Sequence, residues 1–204
     1  MKILAIGAHP DDVEIGCGGF LLKSTRAKDD VYIYFLTRGE AGGGGGDQRE
    51  QEARISAEMI GAKDIWFGEF HDTELTPTGT LVNTIEDVIN HVNPDMIFTH
   101  AKNDEHHDHR AVGLSTIEAA RHYPTILAYE IPLTKNFQPQ IYVDISDVIQ
   151  MKVKLISLYH SQQTKRYLWK DAIYGLAQYR ALQSRLHGTE FVEAFQVIKC
   201  VWTF

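Results

Sequence analysis

The chain has 204 residues, 44% of them hydrophobic, enough to bury a substantial core in one compact domain spanning residues 1–204. A formal net charge of −7, with no long block of like charge, argues against a polyanion-binding surface and so against nucleic acid as a partner. Two distant cysteines, Cys17 and Cys200, make no disulfide framework, and no apolar run reaches the length of a signal-peptide core or membrane span, so a cytoplasmic setting is expected.

Taken in order, Ile3–Ala8 is continuously apolar, as buried parallel strands are. It stops at His9-Pro10-Asp11-Asp12, and Glu14 to Arg26 then reads as a helix whose Gly16, Gly18 and Gly19 permit close strand–helix approach. Val31–Leu36 is β-branched and aromatic, a second strand. Arg38 to Gly46 holds five consecutive glycines and reads as a mobile loop. Gln48 to Gly61 is a helix with Gly61 as its C-cap, and Ile65–Phe67 a third strand. Leu81 to Val92 is an amphipathic helix stopped by Asn93-Pro94, Met96–Thr99 a fourth strand and Ala111 to His122 a helix. Strands follow at Ile126–Ile131, Ile141–Val143 and Phe191–Cys200, with helices over Ser146 to Tyr159 and Lys170 to Arg185. The alternation predicts an α/β fold with a largely parallel sheet flanked by helices on both faces.

Two polar clusters interrupt this pattern, His9–Asp12 after the first strand and His100–His109 after the fourth; the second contains four of the ten histidines. Ligands in open α/β sheets bind beyond the carboxyl ends of strands, so both clusters should face one cleft. A catalytic zinc takes about three His or carboxylate ligands and keeps a position open for water. His9 with one Asp, together with His106, His107 or His109, could supply the ligands, and a leftover carboxylate could act as general base. A further histidine could stabilise an oxyanion, and together these parts suffice for metal-assisted hydrolysis of an amide or ester. The plainer alternatives are helix caps: Asp11 or Asp12 for the first helix, Asp108 for the one from Ala111. Spacing alone does not assign the roles.

Ala8-His9-Pro10-Asp11-Asp12 with Glu14, and His100…Asp104-x-His106-x-Asp108-His109-Arg110, resemble the two motifs of the PIG-L/LmbE-like zinc-dependent N-deacetylase family. Thr37-Arg38-Gly39-Glu40, Arg49, Glu52, His160-x-x-Gln163 and Glu193-Ala194-Phe195 extend the resemblance over nearly the whole chain. It implies a Rossmann-like sheet, with His9, Asp12 and His109 as zinc ligands and metal-bound water as nucleophile. It also implies Asp11 as general base, His106 as the group polarising the carbonyl, and Asp108 tuning His106. The expected activity is zinc-dependent removal of the acetyl group from an N-acetylglucosamine-type sugar or small conjugate, by a homo-oligomer. Other divalent ions could replace zinc at such a site. The alternatives are an amidase or esterase acting on a non-sugar conjugate, and a metal- or ligand-binding protein without turnover.

Arg49, Glu40 and Asp104 are candidate substrate contacts, with the glycine run as a lid. Gly42–Gly46 lacks the Lys-Ser/Thr ending of a phosphate loop, and the acidic turn before Gly16-x-Gly18-Gly19 disfavours a dinucleotide. His71 and Asp72 could line the cleft. His107 is expected to be exposed, Trp66, Trp169 and Trp202 to be packing residues, and Trp169 could instead stack on a sugar.

Overall fold

A computed structural model describes residues 1–132 and 134–201; the expectation for Trp202 falls outside them. Seven strands form one sheet in the order β3-β2-β1-β4-β5-β7-β6. The strands are β1 (Lys2–Gly7), β2 (Asp30–Phe35), β3 (Asp64–Phe67), β4 (Met96–His100), β5 (Thr125–Tyr129), β6 (Ile141–Asp144) and β7 (Val192–Cys200). Every pairing from β3 to β5 is parallel, and β7 runs antiparallel to both β5 and β6. The helices are α1 (Asp12–Arg26), α2 (Gly45–Ile60), α3 (Gly79–Val92), α4 (His107–Ala119), α5 (Ile149–Ser157) and α6 (Lys170–Ser184).

Alternation along β1 divides the core in two. Ile3 and Ala5 pack with side chains of α1, α2, α5 and α6 in one cluster, and Leu4 and Ile6 join α3 and α4 in the other. Both faces are therefore covered, which is why β1 reads as an uninterrupted apolar run rather than an alternating one. Trp66 stacks on Tyr32 at 5.8 Å between ring centroids, a packing role.

The site follows from the strand order. The chain winds from β1 outward to β3, then crosses back to place β4 on the other side of β1. The order reverses between β1 and β4, and the segments leaving these two strands diverge around a crevice. One segment carries His9–Asp12 and the other His106–His109, so residues separated by about ninety positions become neighbours.

Two local expectations change. The loop that carries the glycine run is hydrogen-bonded to its surroundings: Arg49 donates to Gly39 O at 3.0 Å, and Gln162 Nε2 donates to Gly43 O at 2.8 Å. Gly39 and Gly44 have φ of +69° and +85°, and side chains there would meet Arg49 and Ser161 at 2.2 and 2.5 Å. These glycines serve close packing, and α2 already begins at Gly45. Likewise α4 begins at His107 rather than Ala111, and its cap is His106, whose ring accepts from Asp108 N.

Candidate active site

A cavity of about 480 Å³ opens at the crevice, lined by residues that include His9, Asp11, Asp12, Arg49, Asp72, Asp104, His106 and His109. The turn after β1 builds its floor. His9 N donates to Asp12 Oδ2 at 2.8 Å, closing the turn around Pro10. Asp11 takes φ +109°, a left-handed conformation that costs on the order of 1–3 kcal/mol in a non-glycine residue. Ile15 N and Arg49 Nη2 hold it there, bonding Asp11 O at 3.0 Å and Pro10 O at 2.5 Å.

Neither aspartate caps α1 in the ordinary way: Asp11 occupies the cap position, yet its carboxylate makes no capping bond. Its Oδ1 lies 3.4 Å from Arg49 Nη2, while Oδ2 is buried without a partner. Burial raises the Asp11 pKa, Arg49 opposes the rise and Asp12 adds to it, and the carboxyl settles at about 6. Asp12 behaves oppositely. Burial alone would raise it, but His109 and His100 outweigh that and hold it well below the carboxylate range.

Two imidazole nitrogens face the Asp12 carboxylate. His9 Nδ1 and His109 Nε2 face each other at 3.3 Å, and the Asp12 carboxylate is 3.5 Å from the first and 3.3 Å from the second. The outward nitrogens are held by other carboxylates. His9 Nε2 lies 2.9 Å from Asp72 and 3.0 Å from Asp108, and His109 Nδ1 lies 3.0 Å from Asp104. Burial disfavours charge on both rings, yet Asp108, Asp12 and Asp72 lift His9 well above the usual histidine range, and Asp12 with Asp104 lifts His109 to about 9. Two imidazoles aimed at one point, each anchored behind by a carboxylate, are what a divalent cation's ligands look like. His9, Asp12 and His109 thus fit a metal, and all three are buried. His9, His106 and Asp108 also come within range of one another, but His106 Nδ1 and the Asp108 carboxylate are already engaged by backbone N–H groups.

The structure redirects several expected contacts. The Asp108 carboxylate turns away from His106: Thr73 N and Leu75 N donate to it at 2.8 and 3.1 Å, and it orients His9. Its effect on His106 acts only through space. Burial, with the rings of His109 and His9, pushes the His106 pKa down to about 4. The Asp108 N–H on its Nδ1 leaves the proton of the neutral ring on Nε2. Asp104 orients His109 and accepts from Thr134. Glu40 lies outside the cavity lining and accepts from Asp72 N. Arg49 is buried and clamps the floor, Trp169 is not among the lining residues, and His107 is half exposed.

Three residues were not assigned by sequence reasoning. His100 stacks on His109 with centroids 4.2 Å apart, and its Nε2 lies 3.1 Å from Asp12. Its position in the second motif was the available signal. Lys165 and Tyr167 complete the wall from beyond α5, where no motif marked them.

The crevice gathers, at the strand ends of a doubly covered, mostly parallel sheet, a buried His–Asp cluster that could hold a metal ion. Residues 4–120 match the family described as GlcNAc-PI de-N-acetylase, PIG-L, and the chain belongs to that family. It is 33% identical over 163 residues to the uncharacterized deacetylase YaiS of Escherichia coli K12, covering 76% of this chain and 88% of the relative. A diacetylchitobiose deacetylase of Thermococcus kodakarensis is 28% identical over 224 aligned positions, covering 97% of this chain and 83% of that protein. Among solved structures, a conserved protein of Thermus thermophilus shares the fold with a TM-score of 0.87 at 24% identity, covering 99% of this chain and 96% of its own. These relationships place the chain among hydrolytic deacetylases. Among the described residues, no helix is long and apolar enough to cross a membrane.

Proposed function

We propose that the protein is a zinc-dependent N-deacetylase that releases acetate from an N-acetylglucosamine-type amine on a small conjugate. His9 Nδ1, Asp12 and His109 Nε2 would hold the ion, a set of two imidazoles and one carboxylate suited to zinc and open to other divalent ions. When bound, such an ion supplies Lewis acidity, lowering the pKa of water and polarising the amide carbonyl.

The single observation that carries this reading is Asp11. It is surplus to the ligand set, strained in backbone, buried, and keeps Oδ2 free at the cavity. A carboxylate with a pKa near 6 and no structural bond for that oxygen is suited to take a proton from the attacking water. Asp11 then returns the proton to the leaving nitrogen as the C–N bond breaks, giving acetate and a free amine. The neutral His106 ring donates its Nε2–H to the carbonyl oxygen as negative charge develops there. Arg49 fixes the Asp11 turn through Pro10 O while balancing the carboxylate's charge.

Asp11→Asn tests the assignment, because asparagine tolerates left-handed backbone and keeps the side-chain shape. The variant should retain its metal, measured by elemental analysis, and lose roughly 10²-fold or more in acetate release from an N-acetylglucosamine conjugate. Parent-like turnover would refute the general base, and loss of metal would make Asp11 a ligand.

A further inference from the structure

The cavity wall opposite the floor comes from the segment between α5 and α6 and carries Lys165 and Tyr167. Every other formally charged residue lining the cavity has an opposite partner. Arg49 faces Asp11, Asp72 faces His9, Asp12 and Asp104 face His109, and Glu105 pairs with Lys135. Among the described residues Lys165 alone in this lining is left without one. Its ammonium lies 5.9 Å from the centroid of the Tyr167 ring.

The backbone that presents this cation is fixed. Lys165 N donates to Gln162 O at 2.9 Å, and Leu168 N donates to Lys165 O at 3.0 Å. Ser161 N bonds Glu52 at 3.0 Å, Gln162 bonds Gly43, and Trp169 Nε1 donates to Gln163 O at 2.9 Å. This partly buried lysine brings a cation to the cavity in a chain of net charge −7. Lys165 and Asp11 line the same cavity, so whatever the lysine binds lies near the reacting centre. A volume of about 480 Å³ accommodates a sugar together with a small substituent.

We propose that Lys165 is a specificity-determining residue that binds a carboxylate or phosphate on the substrate beyond the amino sugar, so that the preferred substrate is an anionic conjugate. Tyr167 offers its ring to the sugar between them. This rests on the deacetylase reading above and names the substrate class of the same site.

The test compares three probes with metal-loaded enzyme: the neutral methyl glycoside of N-acetylglucosamine, N-acetylglucosamine 1-phosphate, and the N-acetylglucosamine glycoside of glycolic acid. The parent should favour at least one anionic probe by about tenfold in kcat/KM, the worth of one charge-assisted hydrogen bond, and the better arm tells phosphate from carboxylate. In Lys165→Met the anionic-to-neutral ratio should fall by about tenfold through KM, and Lys165→Arg should restore part of it. Equal kcat/KM for all three probes with the parent would overturn the proposal. So would a variant that loses activity on neutral and anionic probes alike, the mark of a purely structural role. If no probe releases acetate, the deacetylase reading fails separately, and calorimetric binding decides the role of Lys165. Glucosamine 1-phosphate and methyl glucosaminide are then titrated into parent and Lys165→Met, and equal affinities overturn the proposal.

Discussion

Glu14 offers a measurement in which the electrostatics of the buried floor can be read without substrate. Its side chain is fully buried, with Ser56 Oγ and Tyr159 OH each donating to Oε1 at 2.7 Å and Oε2 unpartnered. Burial raises its pKa from 4.5 to about 7, with the two hydroxyls opposing. The folded state therefore binds this proton more tightly than the unfolded chain. Its stabilising contribution is complete below the unfolded value of 4.5 and is lost as pH rises through about 7. A difference of two to three pKa units corresponds to on the order of 3 kcal/mol. Glu14→Gln keeps an acceptor for both hydroxyls and cannot ionise. Urea unfolding of parent and variant at intervals from about pH 4 to pH 8 should show the parent losing that stability relative to the variant across the window. Parallel stability curves for the two proteins would refute a neutral, proton-holding Glu14.

Two further substitutions test the support of the site. Asp104→Asn removes the carboxylate behind His109 Nδ1, and zinc affinity measured by chelator competition should fall about 10- to 100-fold; an unchanged affinity would show that Asp104 does not orient this ligand. Gly16→Ala places a methyl 2.2 Å from the ring of Tyr129, which is fully buried and donates to Ile6 O at 2.8 Å. Alanine gains roughly 1 kcal/mol in helix propensity, but overpacking against an immobile ring costs about 1–3 kcal/mol, so the midpoint of thermal unfolding should drop. A rise would mean that the ring gives way.

The parallel half of the fold was legible because each buried strand is a short apolar run ended by glycine or a polar cluster, as at Ile3–Gly7 and Met96–His100. The placement of β7 between β5 and β6 was not, since Ile126, Ile141 and Phe195 mark strands without marking partners. The meeting of His9 with His109 could be argued from strand ends, and the neighbourhood the structure gives them follows from the β1–β4 pairing. The direction of side chains could not. Asp108 sits two residues from His106, but the backbone N–H groups of Thr73 and Leu75, about thirty residues earlier in the chain, hold its carboxylate beside His9. Glycine composition suggested only motion at Gly42–Gly46, whereas a Cβ at Gly42 would meet Arg49 and one at Gly43 or Gly44 would meet Ser161. The two glutamines after His160 separate in the structure: Gln162 is buried and reaches Gly43, whereas Gln163 bonds the backbone of Ile156 and Tyr159.

The fixed wall carrying Lys165 has a consequence for how such a chain can change. The acids and imidazoles of the cavity floor all precede residue 110, and the wall begins after residue 159. The two stretches meet through few side-chain bonds, chiefly Ser161 to Glu52 and Gln162 to Gly43. Substitutions at positions 165 and 167 can therefore alter what the cavity admits while the turn at Asp11 and the carboxylates behind His9 and His109 stay in place. Chemistry and selectivity are inherited on different lengths of chain, so one can be held while the other drifts.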